Sequence, residues 1–320
     1  MLKKNFYGGI IQEKSNDKAD LVQFGHVGNG FWATGKHMKG METEMKIKTC
    51  MSAIVPALLA LILLAGCSGG SGSSGRIVIS PTPTPSPTPA PTTNPLVKMV
   101  MVRIPAGDFW MGSPTGEGGG DEYPRHQVYL DDYDIGKYEV TNDQFYTFVS
   151  ATGYQAEGNW QIYYNAGTAN YPVVNVTWND AVAYCNWAGL HLPTEAQWEK
   201  AARGTDERDY PWGNTWVDGA CNYNSGRPKP FGSHPMDSSP CGIMDMAGNV
   251  SEWCADWYGE RYYFSSPRQN PEGPAGGSSR VYRSGSYYDT DSSATRTACR
   301  KAGGVGIYLN YVGFRCVRTP

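Results

Sequence analysis

Hydrophobic positions beyond residue 97 fall into three helical blocks, each opened by a threonine. Thr141-Asn-Asp-Gln144 precedes Phe145, Phe148 and Val149 on one face, with Gly153 after the last turn. Thr177-Trp-Asn-Asp180 opens a second block that runs through Cys185 and Trp187 to Gly189, and Thr194-Glu-Ala-Gln197 opens a third through Trp198 and Ala201 to Gly204. In each, the threonine hydroxyl can accept from the N3 amide, while the Gln or Asp three residues on answers back or favours the helix dipole. The remaining apolar runs are short and broken by Gly, Pro and Asn, which predicts short strands joined by turns. The pattern therefore predicts an α+β domain over residues 97–320, loop-rich, with two or three helices and short antiparallel strands.

Upstream, the pattern changes three times. Residues 1–44 are polar, contain glycine and show no period, so they read as a non-native extension or a start assigned too early. Residues 45–66 read as a signal peptide: Lys46 and Lys48 supply a positive leader, and the apolar run 53–65 is too short to span a bilayer comfortably. The run ends in Leu64-Ala-Gly-Cys67, which resembles the lipobox of bacterial lipoproteins and implies cleavage before Cys67 and lipidation of its thiol. Residues 67–96 pass from Gly/Ser to alternating Pro/Thr, a tether that becomes a stiffer spacer of about 3.1 Å per residue. The expectation is a lipid-anchored protein of the bacterial cell envelope, with its membrane contact at Cys67 and its domain held outward at the surface.

Composition narrows the partners. The chain has 320 residues, a net charge of −3 and no long Lys/Arg cluster beyond its N-terminus, so nucleic acid is not an expected partner. The last forty residues organise the rest. Arg283, Gly285, Ser286, Arg296, Ala298, Arg300, Gly313, Phe314 and Arg315 alternate with a loose set of Tyr, Ser, Asp, Thr and Gly. Tyrosine brings contact area for few torsions and the small polar residues bring adaptable hydrogen bonds, which is how binding loops are built. No apolar period runs through the stretch, so it is not expected to form a core element.

Seven segments carry a resemblance in order along the chain. They are Arg103-Ile-Pro-Ala-Gly-Asp-Phe-Trp-Met-Gly-Ser113, Tyr138-Glu-Val-Thr-Asn142, Pro172-Val-Val-Asn-Val-Thr-Trp178, Leu192-Pro-Thr-Glu-Ala-Gln-Trp-Glu-Lys-Ala-Ala-Arg-Gly204, Tyr210-Pro-Trp-Gly-Asn214, Asp245-Met-Ala-Gly-Asn-Val-Ser-Glu-Trp253 and Gly313-Phe-Arg315. Together they resemble the formylglycine-generating-enzyme/sulfatase-modifying-factor domain family, which implies a variant of the C-type lectin fold. The founding activity of that family needs two thiols spaced five apart, because a soft thiolate pair binds copper. Here Asp289 and Ala294 stand about where those thiols would be, so the chain is expected not to be an enzyme of this kind. Iron-dependent relatives need clustered histidines; His126, His191 and His234 are scattered, and His26 and His37 precede the signal peptide.

Within the family, the C-terminal stretch most resembles the variable proteins of diversity-generating retroelements, whose gene ends are rewritten at template adenines. Arg283-Ser-Gly-Ser-Tyr287, Arg296-Thr-Ala-Cys-Arg300 and Gly313-Phe-Arg315 follow that pattern, with Ser284, Tyr287 and Cys299 departing from it. The resemblance implies a variable region of about 281–315. Its expected ligand contacts are Tyr287, Tyr288, Asp289, Asp291, Ser293, Thr295, Thr297, Cys299, Tyr308, Leu309, Asn310 and Tyr311. The ligand class is an extracellular protein or glycan. Arg283, Arg296, Arg300 and Arg315 are expected to be scaffold, their forks holding carbonyls or carboxylates below the surface. The competing reading is an exported, non-variable enzyme or modifying factor of the same family.

Of eight cysteines, Cys50 is lost with the signal and Cys67 is lipidated. The resemblance implies a Cys185–Cys316 disulfide; Cys221 with Cys241 is a second candidate pair, leaving Cys254 and Cys299. No cofactor is required on this reading. The one metal expectation is calcium at Asn249 and Glu252, oxygen donors matching positions near a calcium site in some relatives.

Overall fold

The computed structural model divides the chain into two compact units, Met1–Pro81 and Thr82–Pro320. Strand backbones are described between residues 5 and 34, and Asn94 and residues 97–319 are described in full. The first unit holds an antiparallel meander in chain order: β1 (Asn5–Tyr7), β2 (Ile10–Ser15), β3 (Lys18–Val27) and β4 (Gly30–Thr34). Sequence reading places no element there. The overlooked signal is the dipeptides between strands, Gly8-Gly9, Asn16-Asp17 and Gly28-Asn29, whose chemistry suits two-residue hairpin turns. The signal segment 45–66, Cys67 and all of the 67–96 linker but Asn94 lie outside the described residues. Among the described residues, no helix is long and apolar enough to cross a membrane.

In the second unit, all three threonine-led blocks are helices: α1 (Asn142–Thr152), α2 (Trp178–Ala188) and α3 (Glu195–Arg203). Each begins with a complete reciprocal cap, Thr141 with Gln144, Thr177 with Asp180 and Thr194 with Gln197. Such a cap satisfies two otherwise orphaned backbone amides and is worth about 1 kcal/mol. Gly153 and Gly189 end α1 and α2 in the left-handed conformation that glycine tolerates best.

Short strands complete the domain. These are β5 (Met101–Ile104), β6 (Gly107–Met111), β7 (His126–Leu130), β8 (Tyr133–Gly136), β9 (Ser251–Trp257), β10 (Arg280–Arg283), β11 (Arg300–Gly303), β12 (Val312–Gly313) and β13 (Val317–Arg318). They form a β13-β8-β5 sheet, a β6-β7 pair and a β11-β10-β9-β12 sheet. All pairings are antiparallel except β12 with β9. One core cluster packs Phe109, Val128, Leu130 and Ile135 against Trp198 and Ala201 of α3. Another gathers Phe145 and Phe148 of α1, Tyr184 of α2, Trp253 of β9 and Phe314. Each such side chain, once buried, stabilises by about 1.5–3 kcal/mol.

The C-terminal stretch is more structural than its composition suggests. It supplies β10, β11 and β12, three of the four strands in one sheet, so the loose Tyr/Ser/Asp segments are the two connections between them. The expectation that this stretch holds no core element is corrected. Its strands are only two to four residues long, too short to leave a period in the sequence.

Candidate ligand-binding face

Beneath the two connections lies a layer of arginine–carboxylate pairs. Arg283, at the end of β10, is fully buried and bonds Glu195 Oε1 at 2.6 Å, Glu199 Oε2 at 2.8 Å and the Thr297 carbonyl at 2.5 Å. Arg300 forks onto Glu195 at 2.7 and 2.8 Å and also donates to the Asp121 carbonyl at 2.8 Å. Arg296 forks onto Glu122 at 2.9 and 2.7 Å. Arg315 forks onto Glu252 at 2.6 Å through both Nε and Nη2, and reaches the carbonyls of Gly136 and Met244. All four are therefore scaffold, and each ties the C-terminal stretch to a distant element. Burial alone would raise the Glu195 carboxyl, but Arg300 and Arg283 outweigh it and hold it down to about 2. Burial and the neighbouring Glu195 push Asp256 the other way, up to about 8.

Two glycines on this scaffold have no room for a side chain. A Cβ on Gly285 would come within 2.6 Å of Thr295 Cγ2 and 2.8 Å of the Ala247 carbonyl. One on Gly313 would sit 2.3 Å from the Val173 carbonyl. Ser284 has φ 73° while fully buried, a conformation that glycine adopts without cost.

Above the scaffold, the expected contacts separate into two groups. Tyr288 is 61 % exposed and Tyr308 47 %, and Asp291 and Ser293 are also exposed. Asp289 is half-buried, pairs with Lys301 at 2.9 Å and accepts from Ser286 Oγ at 2.7 Å. Tyr311 stacks on Tyr288 with ring centres 5.1 Å apart, which joins the two connections into one surface. With Asn224 and Thr290, these tyrosines and Asp289 line an open hollow of about 550 Å³. Leu309, Asn310 and Cys299 are half-buried.

Two expected contacts, Thr295 and Thr297, are corrected, and a third, Tyr287, lines the hollow from below. Tyr287 is buried and donates its hydroxyl to the Asn310 carbonyl at 2.7 Å, so it forms the floor that links the connections. Thr295 is buried and bonds the Ser292 carbonyl, closing a 3-10 turn over Ser292–Thr295. Thr297 is buried and bonds Asp209 through its amide and Arg208 through its hydroxyl. Polar identity suggested contact for both threonines, whereas each hydroxyl is consumed by a backbone carbonyl.

The calcium expectation at Asn249 and Glu252 is also corrected. Both Glu252 oxygens face Arg315, and one also accepts from Trp198 Nε1 at 2.8 Å. Asn249 Oδ1 accepts from Asn222 Nδ2 and the Lys229 amide, and its Nδ2 donates to Glu139 Oε2 at 2.9 Å. Protein donors already fill the places a cation would need.

Cys185 and Cys316 are brought together, their sulfurs 3.3 Å apart as thiols. Cys221 lies beside Asp237 and Asp245, whereas Cys241 lies beside Lys200 and Arg208, so their surroundings differ.

Sequence reading missed an aromatic shelf beside the hollow. Tyr210 and Trp212 stack at 5.2 Å, Trp216 packs edge-on against Tyr210, and Tyr223 packs edge-on against Trp216. The Tyr223 hydroxyl donates to the Thr290 carbonyl, so the shelf is continuous with the β10–β11 connection. Tyr210-Pro-Trp-Gly-Asn214, with its closely spaced rings, was the available signal.

With this geometry in hand, the likeness to known proteins is specific. Residues 86–320 match the family described as sulfatase-modifying factor enzyme 1-like domain. A formylglycine-generating enzyme of Streptomyces coelicolor is 34 % identical over 299 residues, covering 75 % of this chain and 95 % of that protein. Among solved structures, PvdO from Pseudomonas aeruginosa is similar with a TM-score of 0.61 and 25 % identity, covering 73 % of this chain and 100 % of that one. Treponema denticola variable protein 1 gives 0.60 and 25 % over the same shares. The chain belongs to the sulfatase-modifying factor enzyme 1-like domain family, on the C-type-lectin-like fold that its three helices and short strands build.

Proposed function

We propose that this protein is a surface-displayed lipoprotein that binds an extracellular protein or glycan through a C-terminal face diversified by a retroelement. One observation carries the reading: positions that hold the fold and positions that face solvent are separated side chain by side chain along residues 281–315. Arg283, Arg296, Arg300, Arg315, Gly285 and Gly313 are committed to pairs and close contacts below. Tyr288, Asp291, Ser293 and Tyr308 are exposed above them, with Asp291 accepting from the Ser293 amide and Tyr288 stacking on Tyr311. A surface built in this way accepts many side chains without unfolding, and likeness to a protein named as variable supports the same reading. The exposed tyrosines would supply buried area, and Asp and Ser the hydrogen bonds that select a partner. Cys67 would carry the lipid and the Pro/Thr segment would hold the domain off the membrane.

A second reading, an exported enzyme or modifying factor, is favoured by 34 % identity to a formylglycine-generating enzyme. Against it, Asp289 carries a carboxylate engaged by Lys301, and Ala294 a methyl, where that chemistry needs thiolates. Sequencing the DNA flanking the gene discriminates the two. A near-identical copy of the 3′ end, differing at adenines and lying beside a reverse transcriptase, is the expected result. No such copy, together with oxidation of a cysteine peptide by the purified protein, would establish the enzyme reading instead.

A further inference from the structure

Arg280 differs from the arginines of the scaffold. It begins β10, and its guanidinium lies between two indoles, 3.8 Å from the Trp178 ring centre and 3.5 Å from that of Trp257. Nη1 donates to the Ala255 carbonyl at 2.7 Å. Nε is buried with no partner, and among the described residues Nη2 makes no hydrogen bond and no carboxylate forms an ion pair with the group. A guanidinium offers five N–H donors, and here one is used. Burial lowers its pKa from the ordinary arginine value, and the Asp256 carboxyl offsets this only in part.

This group opens onto a cavity of about 890 Å³, within the range that holds a small organic ligand. Trp178, Val182, Leu130 and Leu192 give it an apolar wall, while Gln197 and Thr194 add neutral polar groups. Asp131, Asp132 and Glu272 also line it. Asp132 is paired with Arg103, and Asp131 accepts from Asn270 at 2.7 Å. These acidic neighbours disfavour a phosphate or any ligand with several negative charges. The indoles hold the guanidinium plane fixed by stacking on both faces, which leaves its edge as the recognition element.

We infer that this cavity is a second ligand site, independent of the C-terminal face, that takes a small monocarboxylate with an apolar body. The carboxylate would accept from Arg280 and the apolar body would lie along Trp178, Val182 and Leu192. N-acetyl-phenylalanine is a suitable probe, and its neutral carboxamide is the control. Isothermal titration of the full chain should show saturable binding of the acid and binding about tenfold or more weaker for the amide, as expected for losing a charged hydrogen bond. Arg280→Met, which keeps bulk between the indoles, should remove the preference for the acid. Val182→Phe should weaken both probes by filling the cavity while leaving Arg280 in place, and it decides the matter if Arg280→Met fails to fold. Tyr288→Ala should change neither. Absence of saturable binding by the acid, equal binding of acid and amide, or undiminished binding by Val182→Phe would overturn the inference.

Discussion

Arg300 of β11 lays its guanidinium edge along the carboxylate of Glu195, at the first turn of α3, through two bonds of 2.7 and 2.8 Å. Arg283 shares the same carboxylate at 2.6 Å. The helix whose start is announced by Thr194 thereby fixes both ends of the β10–β11 connection. A charge buried in this way is costly to leave alone, so its partner cannot be removed cheaply.

Replacing Arg300 with Met should therefore destabilise the domain by about 3–5 kcal/mol. Tyr288→Ala and Tyr308→Ala, on the exposed side of the same loops, should each change stability by no more than about 0.5 kcal/mol. Urea unfolding followed by tryptophan fluorescence checks both. Similar losses for all three would contradict the separation of scaffold from surface.

Ser284 supplies a test of backbone strain. Its φ of 73° is a glycine conformation, and its hydroxyl makes only a 3.3 Å bond to the Met246 carbonyl. Ser284→Gly should stabilise by about 1 kcal/mol, the ordinary cost of a left-handed conformation for a residue with a Cβ. A rise in Tm is expected; a clear fall would show that the hydroxyl contributes more than the strain costs.

Stability should respond to pH in two directions. Glu195 is held down to about 2, so its contribution is present above the unfolded carboxylate pKa and is lost as pH falls through about 2. Asp256 is raised to about 8 and Asp245 to about 6, so their contributions are present in acid, below the unfolded value, and are lost as pH rises through 6 and then 8. Stability should be greatest near pH 4–5 and fall toward pH 8, with Asp256→Asn flattening the fall. A steady rise in unfolding free energy from pH 5 to 8 would contradict this assignment.

The 3.3 Å approach of Cys185 and Cys316 predicts a disulfide in the oxidised protein. Peptide mapping without reductant should recover that cross-linked pair, and Cys185→Ala should lower stability by about 2–4 kcal/mol under oxidising conditions. Recovery of both cysteines as free thiols under oxidising conditions would sink the prediction.

What the sequence made legible follows from where the physics is local. A cap needs only four neighbouring residues, so Thr141, Thr177 and Thr194 marked all three helices correctly. The arginines were readable as scaffold because a motif named them, though their partners were not: Glu252 and Arg315 are 63 positions apart in the chain. That same distance made Glu252 look free for calcium. Thr295 and Thr297 were misread because, in an irregular connection, whether a side chain points up or down follows no period. The shelf from Tyr210 to Tyr223 was missed because its relation to Thr290 exists only after folding.

The central claim is tested most directly by deep sequencing of the gene's 3′ end across a population of cells. The account predicts substitutions concentrated at codons for exposed residues such as Tyr288, Asp291, Ser293 and Tyr308. Arg283, Gly285, Arg300, Gly313 and Arg315, buried or without room for a side chain, should stay constant. An invariant 3′ end, or changes scattered equally over both groups, would contradict it.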